Sequence, residues 1–490
     1  MNHSQKEIER QYLEGVRLKE SLTPRGMAEQ NQINERFYLG DQWHGVSSGS
    51  DRPLVRHNLV RRIGDYKIGT LLKERCRIRF CAQGISRNKQ LRQEAETRKT
   101  ALCKGEPFSL ETHADEAEAV LLCDALSRYL VHAGHLVRLD EKLALLLRQS
   151  YVTGTGVLYT YYDPLAEGGQ GGIGCEVLRI EDLTLGDPCE NDLQRQPYLI
   201  FAGRKSVEEC RRTARYFRVP EAEIARIVPD TPSSDKVTVY TKLFRVSQGE
   251  TSSIHAVCVT AKATVRREYD TRLERYPVNL FAWQKKDACA YGESEVTQLI
   301  PNQIAVNRMI TASVWACMSM GMPIMTVNGD TVTAEITNDP GQIIKVYGSN
   351  EDVAGAIHYV SPPDFSTDFL RNISELIHST LESCGAGASV LSNVSYNNTS
   401  AIQAAREVAE TGMLDLTCRF QHFCEDIALT FLDFWFGYYG NRCLRIEENG
   451  ECWYFPFDPN RYRNLTFGVY TEEPDENTEK QEESTHENRP

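Results

Sequence analysis

Three apolar-periodic segments, cut apart by proline and glycine breaks, occupy the stretch from Tyr291 to Tyr439 and constrain this chain more than anything else in it. The first opens near Ser294, where Val296, Leu299, Ile300, Ile304, Met309 and Ile310 fall close to helical spacing. Pro301 is expected to kink that helix or to set its first turn apart, and Gly321–Met322–Pro323 to end it, because proline has no N–H to donate and restricts the residue before it. A second helix opens at Asp364, after Pro362–Pro363, with Phe365, Phe369, Ile373, Leu376, Ile377 and Leu381 in one stripe. After the polar stretch Ala388–Thr399, a third runs from Ser400 to about Tyr439, roughly 40 residues or about 60 Å. Gly412 and the aromatic run Phe431, Phe434, Trp435 and Phe436 point to a bend or a change of packing partner. Two rods flanking a small β segment suit a subunit that projects a stalk.

The chain's 490 residues suffice for two or three folding units, and 41% apolar with 25% charged residues is ordinary globular composition. The net charge of −13 argues against a general nucleic-acid coat, but it is unevenly spread. Residues 291–440 carry 17 acids against 5 bases, the last 20 residues eight against two, and residues 1–290 are mildly basic, 44 bases against 39 acids. Fifteen cysteines include no C-x-x-C pair, which disfavours a zinc ribbon or thioredoxin-type site. The first fifteen residues hold no apolar core of the signal-peptide kind. Reduced core cysteines in a cytosolic setting are therefore expected.

Before the rods, residues 5–38 read as helical with a break at Pro24–Arg25–Gly26, and residues 54–73 as a helix with Leu59, Ile63, Ile68 and Leu72 inward. Arg56, His57, Arg61, Arg62 and Lys67 form its basic, solvated face. Residues 86–115 read as a surface excursion. Asp115 with Glu118 resembles a capping box that starts a helix towards Ala133, and a second helix follows Gly134. From Gly154 the period changes to two: Gly156–Tyr162, Gly174–Ile180, Pro197–Gly203, Lys236–Val246 and Ser253–Val259 are strands, with a charged helical segment near 206–227. A hairpin near 443–455 turning at Asn449–Gly450, and a strand near Leu465–Tyr470, return late to this α+β body. Thr471–Pro490 is an acidic tail expected to be disordered.

Catalytic motifs do not rise above their backgrounds. Gly169–Gly174 matches G-x-G-x-x-G but precedes a strand, so it reads as a hairpin turn and not as a dinucleotide site. Gly45–Gly49 matches G-x-S-x-G without the strand that a nucleophile elbow needs. There is no Walker-type loop and no H-E-x-x-H, and His132 with His135 reads as a helix end and not as a metal pair. No catalytic residue, cofactor or metal is expected.

The run Phe281-Ala282-Trp283 … Tyr291-Gly292-Glu293-Ser294-Glu295-Val296, then Leu299 … Gln303 and Asn307, resembles the entry to the first stem helix of tailed-bacteriophage portal proteins, the head-to-tail connector rings of the portal vertex. The arm Arg36-Phe37-Tyr38-Leu39-Gly40-Asp41-Gln42-Trp43 is similar to that family's opening motif. So is the later order: a break at Pro323, a β insertion containing Asp339-Pro340-Gly341-Gln342-Ile343-Ile344, a proline-led helix, a polar loop and a long helix. The likeness covers roughly residues 30–470 and implies a portal-like α+β fold. Residues 1–290 and the strands of 441–470 would form a mixed α/β wing. Residues 291–321 and 363–386 would be the two-helix stem, 322–362 a small β-containing clip, 387–400 a tunnel loop, 401–440 a long kinked helix and 471–490 the tail. A helical crown, usual in the family, would be short or missing here.

The resemblance implies a non-enzymatic homo-oligomeric ring of about twelve subunits, closed head to tail at the portal vertex of a virion and assembled in the host cytoplasm. Double-stranded DNA would pass through it in packaging and ejection. Its partners would be the large terminase subunit, the major capsid and scaffolding proteins and a head-tail adaptor, with no membrane during assembly. Ser389, Ser392, Asn393, Ser395, Tyr396, Asn397, Asn398 and Thr399 would form the DNA-facing loop, touching phosphates without reading sequence. Asp339, Lys345 and Tyr347 would belong to the docking clip. The acid excess of residues 291–440 would suit a conduit that lets DNA slide, since repeated lysine or arginine would grip it by counterion release.

Two other readings stand beside this one. Residues 309–329 hold 21 residues without a charge, near the length of a membrane span, although Thr311, Ser313, Ser319, Gly321, Pro323 and Thr326 interrupt them. In a nucleic-acid enzyme, Asp339, Asp352 and Asp364 would be candidate Mg²⁺ ligands.

Overall fold

The computed structural model describes residues 4–46, 53–73, 77–84, 89–103, 116–164, 166–249, 251–320, 324–328, 330, 332, 346–349, 355–360, 367–386, 399–448 and 451–472. The protein is α+β. In chain order come α1 (Gln5–Ser21), α2 (Met27–Leu39), α3 (Leu59–Lys73), β1 (Arg77–Ala82), α4 (Lys89–Cys103), α5 (Glu116–Leu136) and α6 (Leu139–Thr153). Then follow β2 (Thr155–Asp163), α7 (Ala166–Gly169), β3 (Gly172–Leu178), β4 (Leu183–Leu185), β5 (Tyr198–Ser206), α8 (Val207–Tyr216) and α9 (Glu221–Ile224). Next are β6 (Lys236–Gln248), β7 (Thr251–Thr260), β8 (Thr264–Asp270), β9 (Val278–Ala282), β10 (Gln284–Lys286) and β11 (Cys289–Glu293). The chain continues with α10 (Glu295–Met320), β12 (Ile324–Val327), β13 (Ile357–Val360), α11 (Thr367–Ser383) and α12 (Thr399–Tyr438). It closes with β14 (Arg442–Glu448), β15 (Glu451–Phe457) and β16 (Phe467–Glu472). Two compact units result: residues 1–35, 64–298 and 410–490, and residues 36–63 and 299–409.

The first unit is built on an antiparallel sheet of order β4-β5-β6-β7-β8. Alternation along β6 sends Tyr240 and Phe244 to one face and Val237, Val239 and Leu243 to the other. Helix α1 covers the first face, where Ile8 is fully buried among Ile200, Tyr240, Phe244, Val257 and Val259. On the second face, Val207, Cys210 and Ala214 of α8 cover the Val237–Val239 end. Val157 of β2 and Val278 of β9 meet Leu243 at the other. β2 and β9 belong to a second sheet of order β3-β2-β9. The first and last strands of the chain meet, β1 pairing with β16 from Arg77↔Glu472 to Ala82↔Phe467.

The strands expected from the period-two segments are all present, and the glycines at 169–174 lie in the β2–β3 hairpin, away from any helix start of dinucleotide type. Several local readings need correction. Helix α5 runs through Gly134, since one interior glycine costs only about 1 kcal/mol; the chain turns instead at Arg138, which has φ 52°. Within the expected surface excursion, Lys89–Cys103 is helix α4, and its Ala95 and Lys99 are buried. Pro301 does not set the first turn of α10 apart, since the helix runs continuously from Glu295 to Met320; Gly412 lies inside the 40-residue α12. Among the cysteines whose side chains are described none is in a disulfide; Cys123, Cys175, Cys210 and Cys424 are buried, but Cys189, Cys317, Cys443 and Cys452 are exposed and are not core residues.

In the second unit, α10 from Leu299 and the whole of α11 flank the antiparallel pair β12–β13, with Ile324 opposite Val360 and Val327 opposite Ile357. An isolated bridge joins Val332 to Val346. Ile373 and Leu381 of the expected α11 stripe are buried, and Asn302 of α10 donates to Thr380 Oγ1 at 3.3 Å. Among the described residues, no helix is long and apolar enough to cross a membrane.

Candidate functional site

The motif that enters α10 is a set of buried polar contacts made by the residues that carry the resemblance. Glu295, the first residue of α10, is 4% exposed. One of its carboxylate oxygens accepts from Lys67 Nζ at 2.7 Å and the other from Trp283 Nε1 at 2.8 Å. Lys67 is therefore buried and paired, not part of the solvated basic face its spacing on α3 predicts. Ser294 donates to the Tyr151 carbonyl at 2.8 Å while its oxygen accepts from Val296 N, fixing the start of the helix. The rings of Tyr151 and Trp283 meet edge to face, centroids 5.2 Å apart.

Two glycines let the backbones close around this point. A Cβ on Gly154 (φ +89°) would sit 2.4 Å from the Gly292 carbonyl oxygen, and one on Gly292 would meet Gly154 O at 2.3 Å. No other residue fits either place. Tyr291, beside them, is 2% exposed and accepts from Leu185 N; burial pushes its phenol well above the ordinary range.

In the second unit, the aromatic arm and α10 share an amide network. Asn307 donates to Gln42 Oε1 at 2.6 Å and accepts from His57 N at 3.0 Å. Gln42 donates back to the Phe37 carbonyl, and Trp43 Nε1 to Val55 O, each at 3.0 Å. Gln303 uses both ends of its side chain. Its oxygen accepts from Leu59 N at 2.8 Å and Val60 N at 3.2 Å, and its nitrogen donates to His57 O at 2.7 Å. Leu59 and Val60 open α3, so a residue 244 positions away joins Asn58, whose Oδ1 accepts from Arg61 N, in capping that helix. Burial, then Arg62, holds the His57 imidazole below its usual pKa. The motif residues are thus structural: they fix how α10 and α3 begin.

Of the site residues expected from sequence, Ser389, Ser392, Asn393, Ser395, Tyr396, Asn397, Asn398, Asp339 and Lys345 lie outside the described residues, as do Asp352 and Asp364. Thr399 is the first residue of α12. Tyr347 is 66% exposed, next to the Val332–Val346 bridge.

The acid excess of residues 291–440 is partly committed to internal contacts in the first unit. Glu295 binds Lys67 and Trp283, Glu425 accepts from Thr471, and Asp426 pairs with Arg275 at 2.9 Å. Asp433 accepts the Glu274 and Arg275 amides, and its burial raises the carboxyl to about 6. The second unit takes 12 acids and 9 bases, since the bases of residues 36–63 offset the acids of 299–409. Asp368, Glu375 and Glu382 of α11 are exposed; Glu375 pairs with Arg371 and Glu382 with His378, both on the same helix. Spacing alone could not separate these two populations.

Among the described residues, no group of three or more His, Cys, Asp or Glu is placed to hold a metal ion. No protein-family model matches the chain, and no curated protein matches it either.

Proposed function

We propose that this chain is a portal-type ring subunit, a non-enzymatic conduit for double-stranded DNA at a capsid vertex and a docking platform for terminase and tail adaptor. The observation that carries the reading is the order of elements along the chain. Helices α10 and α11 flank a two-stranded β element, and α12 follows across the serine- and asparagine-rich stretch 387–398. The aromatic arm and the Trp283–Glu295 motif support it, because Trp283 bonds Glu295 at the start of α10 and Gln42 bonds Asn307 farther along the same helix. A stem helix working in a ring needs a fixed origin, and buried, fully bonded polar groups supply that better than apolar contact alone. On this reading the β12–β13 tip is the docking clip, with Tyr347 on its exposed side, and residues 387–400 line the tunnel.

Deleting Val390–Asn398 from the protein during head assembly tests the conduit role. Rings should form in normal yield while the heads stay empty of DNA. Heads filled to the normal extent would refute a tunnel role for that stretch.

A further inference from the structure

The first unit carries an exposed basic face that none of the contacts above uses. Arg204–Arg218 holds six bases against two acids in a chain of net charge −13. Within it, Arg204, Arg212 and Arg218 are exposed and form no ion pair among the described residues. Arg215 reaches only the exposed Glu221, at 3.2 Å, a pair that water screens heavily.

The face has an aromatic floor. Tyr216 is 77% exposed, and Phe217, edge-on to it, lies 3.9 Å beneath the Arg266 guanidinium, which also covers the Tyr269 ring. Arg272, two residues past β8, is exposed as well. Arg218 and Arg272 are two of only four non-glycine residues with positive φ among those described, at 55° and 58°. Arg218 occupies the position just past α8 where Val219 N bonds back to Ala214 O, a place glycine fills with least strain. Arginine there keeps a cation on the face at the expense of backbone ease.

We propose that this face binds the chain's own acidic terminal segment, residues 473–490. That segment carries seven acids against two bases and almost no apolar side chain, so it complements arginines and not an apolar groove. It is tethered at Glu472, the end of β16 in the same unit, and its 18 residues span up to about 60 Å when extended. Such a tether supplies an effective concentration of roughly millimolar, so even a contact of about 100 μM affinity keeps the segment bound some nine-tenths of the time.

A fluorescent peptide of residues 473–490 titrated by anisotropy into the chain truncated after Glu472 tests this. The peptide should bind at least ~10-fold more tightly than to the full-length chain, whose own segment competes, and affinity should fall about 10-fold or more between low and physiological salt. Arg212→Glu with Arg218→Glu, both on the surface and checked for fold by circular dichroism, should abolish binding. Affinity weaker than about 1 mM for the truncated chain, or unchanged by the double reversal, would overturn the proposal. So would a DNA duplex that binds the full-length chain through these arginines as tightly as it binds the truncated one.

Discussion

Replacing Glu295 with alanine should be among the most damaging single changes in the first unit. The carboxylate is the shared acceptor of Lys67 Nζ and Trp283 Nε1, and the Lys67 and Glu295 side chains are only 10% and 6% exposed. Removing one partner of a buried ion pair typically costs about 3–5 kcal/mol, because the other charge stays buried and uncompensated. An orphaned buried donor such as the indole N–H adds about 1–3 kcal/mol, part of which relaxation recovers. About 4 kcal/mol is therefore expected, a large share of a stability of order 5–15 kcal/mol. Urea unfolding followed by tryptophan fluorescence reads the loss as a fall in midpoint. Charge, and not shape, is the claimed cause, so Lys67→Met with Glu295→Gln should recover most of the loss: the amide oxygen still accepts from Trp283 and no charge is buried. A Glu295→Ala loss below about 1 kcal/mol, or a double variant no better than the single one, would refute the reasoning.

Further outcomes follow from other buried groups. Gln303→Leu should lose about 1–3 kcal/mol in the same assay, since it removes the side-chain acceptor of Leu59 N and Val60 N and the donor to the His57 carbonyl. Lys19, donating to the Ile180, Glu181 and Leu183 carbonyls, is held near 8 by burial, so its charge opposes folding below that pH and the opposition is relieved as pH rises to 10.5. The stability of wild type relative to Lys19→Met should thus rise by about 3 kcal/mol from pH 8 to 10.5. Asp433 shows the opposite sign: raised to about 6, it favours folding below its ordinary 3.8 and that advantage disappears as pH climbs through 6. Wild type relative to Asp433→Asn should lose about 2 kcal/mol between pH 4 and 7.

The helices and the alternating strands were legible because their signals are local. Phe365–Leu381 spells one stripe, and Lys236–Val246 one alternation, whatever the rest of the chain does. What spacing could not show was which polar residues leave solvent. Lys67 lies among bases on α3, and only Glu295, 228 positions later, makes its burial tolerable. Lys19 and Lys242 were unreadable for the same reason, their acceptors being carbonyls near Leu183 and the Gln11 amide. Strand β1 escaped notice because its partner β16 lies 393 positions away, from Arg79 to Glu472 in the shared ion pair. Gly134 was misjudged because a helix whose flanks bury Leu130 and Ala133 carries one glycine without breaking. The motif residues from Trp283 to Asn307 stand out in the sequence, and the structure adds that several of them are buried anchors along α10.

Electron-microscope images of the purified full-length protein test the central claim most directly. The account predicts closed rings with a central hole, built from about twelve copies of the 55.6 kDa chain. Particles that remain single chains or closed two-fold dimers, at concentrations and with scaffold that support head assembly, would contradict it.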